Sequence, residues 1–177
     1  MRIENKKTWF GAIFLIALEQ FIKIIINAYY LHERFAILPP FIYFEPMFNR
    51  RYSWFNSMLE LGDGRWLHII TVSVLTLFIC LFYQYVNKNL GSSRIINYMF
   101  VFIFSGAVCS LIDKLFWDGS LDYILINGLF TFDLKDVYIN IFNGLLIIGL
   151  IFNNKAIKQI SDEFKFNDFI KYVLKRS

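Results

Sequence analysis

The sequence predicts an all-α membrane protein of four transmembrane helices with a small extended or β excursion on the outer face. Three observations carry that prediction. The chain is 57% hydrophobic with a mean hydropathy of +0.49, and its charged residues make up 18% where an ordinary soluble domain has about 25%. Its charges are bunched, so that long stretches hold almost none and the segments between them hold nearly all. Four of those stretches approach the roughly 20 apolar residues that a helix needs to cross the hydrocarbon layer.

The expected spans run from Thr8 to Asn27, Trp66 to Val86, Ile95 to Phe116 and Asp136 to Phe152. The first follows a basic segment as a signal peptide would. Its apolar run is too long for one, however, and Glu19, Gln20 and Lys23 interrupt it with no small-residue cleavage site beyond, so a retained helix is expected. The second and third are joined by a short basic connection. Two outer excursions remain, 28–65 and 117–135. The first holds Pro39, Pro40 and Pro46 among Phe, Ile and Tyr residues, a composition that favours strands and turns resting on the membrane surface. The tail, 153–177, contains KQISDEFKFNDFIKYVLKRS, expected to form a short amphipathic helix at that surface. With no repeat or long linker, residues 1–177 are expected to form a single integral membrane domain.

Four crossings put both termini on one side. Eleven Lys and Arg residues lie in the N-terminal segment, the connection between spans two and three, and the tail, against six on the opposite, longer face, Lys114 at the end of the third span included. The positive-inside rule therefore predicts cytoplasmic termini. The basic residues are scattered along the membrane boundary and form no dense patch, which argues against nucleic-acid binding. Cys80 and Cys109 both fall within spans and offer neither a disulfide framework nor a zinc spacing.

The candidate chemistry lies in Asp113 to Asp136, DKLFWDGSLDYILINGLFTFDLKD. Ionisable groups at the bilayer edge cost several kcal/mol unless paired or hydrated. Asp118 before Gly119 reads as a turn, and Asp133 or Asp136 is suited to capping the fourth helix. Asp113, Asp122 and Asp136 are harder to dismiss, because carboxylates held between two packed helices repel one another unless a proton, a cation or a basic side chain intervenes. Two chemistries use such a cluster: a dyad sharing one proton, which hydrolyses peptides without a covalent intermediate, and coordination of a cation by hard oxygen ligands. Nucleophilic catalysis fits less well, because neither cysteine has a neighbouring histidine and His32 and His68 stand alone. Glu19 and Lys23, four apart, share a helical face and are expected to neutralise each other.

The order of these residues resembles signal peptidase II, the bacterial lipoprotein signal peptidase, an aspartyl protease of the inner membrane. The family has Asp-Gln and, three residues later, Lys in its first span; LEQFIK offers Glu19, Gln20 and Lys23. The family's outer motif runs Asn, any residue, Gly, two small residues, aromatic, and NRRYSW keeps Asn49, Ser53 and Trp54 while Arg51 and Tyr52 replace a glycine and a small residue. The third-span motif, Gly-Asn, two apolar residues, Asp-Arg, then an Asp nine residues after the first and followed by an aromatic, is met by CSLIDKLFWDGSLDYI. There Asp113, Asp122 and Tyr123 keep type and spacing, and Ser110 and Lys114 stand for Asn and Arg. In place of Phe-Asn, apolar, Ala-Asp, FDLKD keeps Phe132 and Asp136 and substitutes Asp133 and Lys135.

What the resemblance implies is cleavage of prolipoproteins before a diacylglyceryl-modified cysteine, by a catalytic pair of Asp122 and Asp136. Asn49 is implied to contact substrate, Ser110 to help hold the site, and Asp113 with Lys114 to brace the third helix. It further implies membrane lipids as surroundings, a monomer, and no metal or other cofactor. The departures concentrate in the supporting positions. Lys cannot reproduce the bidentate fork of Arg, and Asp133 adds a like charge one turn before Asp136 unless Lys114 or Lys135 offsets it. The segment Tyr123 to Lys135, a lid in the family, is shorter here. Two other readings keep the fold: a dyad acting on a different membrane peptide, and a non-catalytic relative that binds lipopeptides. A small transporter is disfavoured, since no polar path continues through the second or fourth span.

Overall fold

The computed structural model describes residues 3–50, 65–91, 93–117 and 119–175. Asp118, Arg51, Tyr52, Ser53 and Trp54, singled out above, lie outside the described residues.

Helix α1 (Ile3–Ile25) is prolonged by a π-helical turn, Ile26–Tyr30. Strands β1 (Phe35–Leu38) and β2 (Ile42–Asn49) follow, then α2 (Arg65–Asn89), α3 (Arg94–Phe116), β3 (Ser120–Ile126), β4 (Phe130–Phe132), α4 (Leu134–Ile151), α5 (Lys155–Glu163) and α6 (Phe166–Leu174). Four helical segments, Lys6–Tyr30, α2, α3 and α4, are long and apolar enough to cross a membrane. Apolar side chains cover their outward faces: α2 exposes Trp66, Leu67, Ile70, Val74, Leu75 and Leu77, a surface suited to lipid.

The bundle is organised around α3, against which α1, α2 and α4 pack. Hydrophobic driving force is weak between helices in lipid, so close approach and hydrogen bonds decide the fit. Gly106 provides the close approach, since a Cβ there would lie 2.7 Å from Ile139 Cγ1 of α4. Two hydrogen bonds tie these helices to the backbone of α1: Ser105 Oγ donates to Ala12 O at 3.2 Å, and Tyr138 OH donates to Leu15 O at 3.1 Å. At the end holding the start of α3, Phe100 stacks with Tyr83 and Phe104 while Trp9 meets Phe100 and Phe104 edge-on, and the tail closes the cluster with Ile157 and Phe169.

The tail corrects one expectation. It forms two short helices, with a break at Phe164 and Lys165, where the backbone turns extended. The break lets Phe164 and Phe169 both meet Phe82 and Tyr85 of α2, contacts that one straight helix would not bring to the same two rings.

At the opposite end, the four strands form an antiparallel sheet in the order β1-β2-β3-β4. The register of β2 on β3 shifts between Phe44 and Met47, at a point where Pro46 has no N–H to give the ladder. Beyond the shift, Met47 lies opposite Asp122, Phe48 opposite Leu121 and Asn49 opposite Ser120. Gly119 makes the entry to β3 possible: its φ is +115°, and a Cβ would meet the Asn49 carbonyl oxygen at 2.8 Å. The segment expected as a shortened lid is the β3–β4 hairpin.

Candidate active site

A strand alternates its side chains between two faces, so Ser120 and Asp122 share one face of β3 while Leu121 and Tyr123 take the other. Leu121 and Tyr123 pack with Ile26 in an apolar cluster that anchors the strand against α1. On the polar face, Asn49, diagonal to Asp122 across the ladder, donates its Nδ2 to Asp122 Oδ2 at 3.3 Å.

Asp136 arrives from α4. Asp133 is the N-cap of that helix, and the two form a capping box: Asp136 N donates to Asp133 Oδ1 at 3.3 Å and Asp133 N donates to Asp136 Oδ2 at 3.2 Å. The cap accounts for both carboxylates as local structure and also holds Asp136 at the rim, its side chain 38% exposed. Carboxylate oxygens of Asp122, Asp133 and Asp136 lie within 4.8 Å of one another.

Two lysines neutralise this density of charge. Lys23, buried completely, places Nζ 2.8 and 2.7 Å from the two oxygens of Asp113 and 2.6 Å from Asp133 Oδ2. Those contacts engage its three hydrogens. Glu19 Oε1 sits 2.9 Å away as an ion pair, yet neither Glu19 oxygen has a hydrogen-bond partner among the described residues. Lys135 supplies the second ammonium, 2.5 Å from Asp133 Oδ2, 2.6 Å from Ser120 Oγ, 3.3 Å from Asp113 Oδ2, 3.5 Å from Asp122 Oδ1 and 3.9 Å from Asp136 Oδ2. Glu19, Asp113 and Asp133 form a second triple within 4.8 Å. The ammonium groups already supply the positive charge that a cation would bring to either triple.

Burial pushes the Asp122 carboxyl upward, and Lys135, Ser120 and Asn49 pull it partly back, leaving it above the usual carboxylate range. For Asp133, burial acts in the same direction, but Lys135 and Lys23 outweigh it and hold the carboxyl well below that range. The extra acid expected to repel its neighbours is therefore the main counter-ion of both lysines.

The remaining sequence candidates hold the frame. Gln20 Oε1 accepts from the Trp117 indole at 3.1 Å. Lys114, expected with Asp113 to brace the third helix, turns its Nζ back one helical turn to Ser110 Oγ at 2.8 Å, while Asp113 takes its cations from α1 and α4. Three features were missed. Ser120 lies 2.7 Å from Asp122 Oδ1 and 3.0 Å from Asp113 Oδ2, and its spacing of two from Asp122 was the available signal. Arg65 donates to the carbonyls of Lys114 and Leu115 at 2.5 and 2.9 Å, satisfying the end of α3. Lys135, noted only as a possible offset, is central to the site.

The sequence profile of the family described as signal peptidase (SPase) II matches residues 11–152. The chain belongs to the signal peptidase II family. It is accordingly a peptidase of the bacterial membrane, and its family function is that of a lipoprotein signal peptidase. Two solved structures, each described as a "Bacterial membrane enzyme structure by the in meso method", one at 1.9 Å and one at 2.3 Å resolution, share its fold at a TM-score of 0.66 and 20% identity. The first alignment covers 82% of this chain and 92% of the other; the second covers 90% and 93%. No curated protein matches the sequence. The profile covers most of the first apolar helix, the other three and the acidic site of this chain, and leaves the packed tail outside.

Proposed function

We propose that this chain cleaves as an aspartyl endopeptidase, with Asp122 and Asp136 as the catalytic pair. The observation that carries the reading is their meeting: carboxylates from β3 and from the first turn of α4 come within 4.8 Å, close enough that they are best accommodated by sharing a proton. The ionised member takes a proton from water as the oxygen attacks the scissile carbonyl. The protonated member donates to the carbonyl oxygen, and the resulting tetrahedral diol collapses with proton transfer to the leaving amine. No covalent enzyme intermediate is needed.

Asp136, the more exposed of the two, faces incoming substrate, and Asn49 orients Asp122. The substrate is a membrane-inserted prolipoprotein cut before its diacylglyceryl-cysteine. The positive-inside count supports cytoplasmic termini and a site near the outer membrane face, and the enzyme acts as a monomer without a cofactor. A second reading, a dyad retuned to a different membrane peptide, draws support from Asp133 and Lys135, which replace the motif's Asn and Ala beside the pair. Asp122→Asn and Asp136→Asn, expressed to wild-type levels, should each abolish cleavage of a lipid-modified prolipoprotein; full activity in either variant would sink the dyad.

A further inference from the structure

Ser120 and Lys135 are a serine hydroxyl and an ammonium in contact at the centre of the site, and the dyad chemistry uses neither. Their geometry has a direction. An ammonium only donates, so in the 2.6 Å contact Lys135 Nζ donates to Ser120 Oγ. The hydroxyl then has one hydrogen to give. Of the carboxylate oxygens around it, Asp122 Oδ1 at 2.7 Å is nearer than Asp113 Oδ2 at 3.0 Å or Asp133 Oδ2 at 3.4 Å. A chain of hydrogen bonds therefore runs Lys135 to Ser120 to Asp122. Asn49 occupies the other oxygen, Oδ2, so both oxygens of Asp122 accept hydrogen bonds, an arrangement that favours the charged form.

We propose that Ser120 and Lys135 are positioning residues that make Asp122 the ionised, water-activating member of the pair and leave the shared proton to Asp136. The inference rests on the aspartyl reading and assigns the roles within it. It also explains a departure from the family motif: a lysine where the motif has alanine gives Asp122 a cation that acts both directly, at 3.5 Å, and through a hydroxyl two residues before it. A serine–lysine nucleophile is the other chemistry such a contact brings to mind. It fits poorly, because Lys135 lies within 4 Å of Asp113, Asp122, Asp133 and Asp136, and four carboxylates hold its proton rather than let it act as a base.

The groups around Asp122 come from every element packed on it. Asp133, Lys135 and Asp136 stand on α4 and Asp113 on α3; Lys23 with Glu19 stands on α1, and Asn49 on β2. The anions and burial push Asp122 toward its neutral form, and Lys135, Ser120 and Asn49 oppose them. Removing Ser120 or Lys135 therefore raises the pH at which Asp122 ionises. A base works only when ionised, so the acid limb of the pH–rate profile should move to higher pH.

The test measures kcat and KM against pH on a peptide carrying a diacylglyceryl-cysteine, using the full chain in lipid nanodiscs. Ser120→Ala should lower kcat with little change in KM and move the acid limb up by about one to two pH units. Lys135→Met should move it in the same direction, and Ser120→Thr, which keeps the hydroxyl, should restore the wild-type limb. A loss of activity in Ser120→Ala with the limb unmoved, or no rescue by threonine, would overturn the proposal and leave Ser120 a purely structural residue. An infrared titration follows the carbonyl stretch of the protonated Asp122 carboxyl, assigned by its disappearance in Asp122→Asn, and needs no turnover. The same upward shift in Ser120→Ala supports the proposal, and an unchanged midpoint overturns it. Activity surviving in Asp122→Asn would instead defeat the dyad reading, and the infrared midpoint would then decide the positioning claim alone.

Discussion

Replacing Lys23 with methionine keeps most of the side-chain volume and removes the charge. Lys23 Nζ lies 2.6 to 2.9 Å from oxygens of Asp133, Asp113 and Glu19, in a position closed to solvent. Among the described residues the substitution leaves Asp133 and Asp113 paired with Lys135 and removes the ion-pair partner of Glu19, and breaking a buried ion pair by deleting one partner costs about 3–5 kcal/mol. For a chain of this size that corresponds to a fall in Tm of roughly 6 to 20 °C. Glu19→Gln provides the contrast. Its carboxylate has no aligned donor among the described residues, and glutamine keeps a carbonyl oxygen for Lys23, so the loss should stay within about 1 kcal/mol. Thermal unfolding followed by tryptophan fluorescence in one detergent compares the two. If Lys23→Met melts within about 2 °C of wild type, or if Glu19→Gln costs as much as Lys23→Met, the lysine is not the keystone of the buried network and the charge argument is wrong.

Other consequences are open to the same kind of check. Asp133 is held low by Lys135 and Lys23, so its contribution to stability stands above its ordinary value of 3.8 and is lost as pH falls below it; denaturation scans should show an acid-side slope that Asp133→Asn lacks. Gly106→Ala drives a methyl group into Ile139 of α4, and the overpacking should cost about 1–3 kcal/mol, read as a lower Tm. Gly119→Ala combines a positive φ with a clash against the Asn49 carbonyl; cleavage should fall more steeply than stability, because Asn49 and Asp122 are displaced together.

The four spans were legible because crossing lipid is a matter of composition over some twenty residues, and their apolar runs stand out whatever they pack against. The nine-residue spacing of Asp113 and Asp122 was equally visible, since the end of α3 and the start of β3 follow one another directly. The pairing of charges was not. Glu19 and Lys23 are neighbours on one helix, and the sequence shows that much; that Lys23 also meets Asp113 and Asp133 depends on how α1 crosses α3 and reaches the cap of α4. Lys114 and Lys135 looked interchangeable as offsets for Asp133. They differ because the last turn of α3 aims Lys114 at Ser110, whereas the capping box turns Lys135 inward. The tail's break at Phe164 was hidden for the same reason, since the aromatic contacts that reward it come from α2.

As a signal peptidase II family member, this chain should cut lipid-modified precursors at one bond. Mass spectrometry of the products formed when the purified protein meets a diacylglyceryl prolipoprotein tests it most directly, with and without globomycin, an inhibitor of the signal peptidase II family. A product whose first residue is the modified cysteine should form in the absence of globomycin and be suppressed in its presence. An uncut precursor beside a fully folded enzyme, or a cut at another bond, would contradict it.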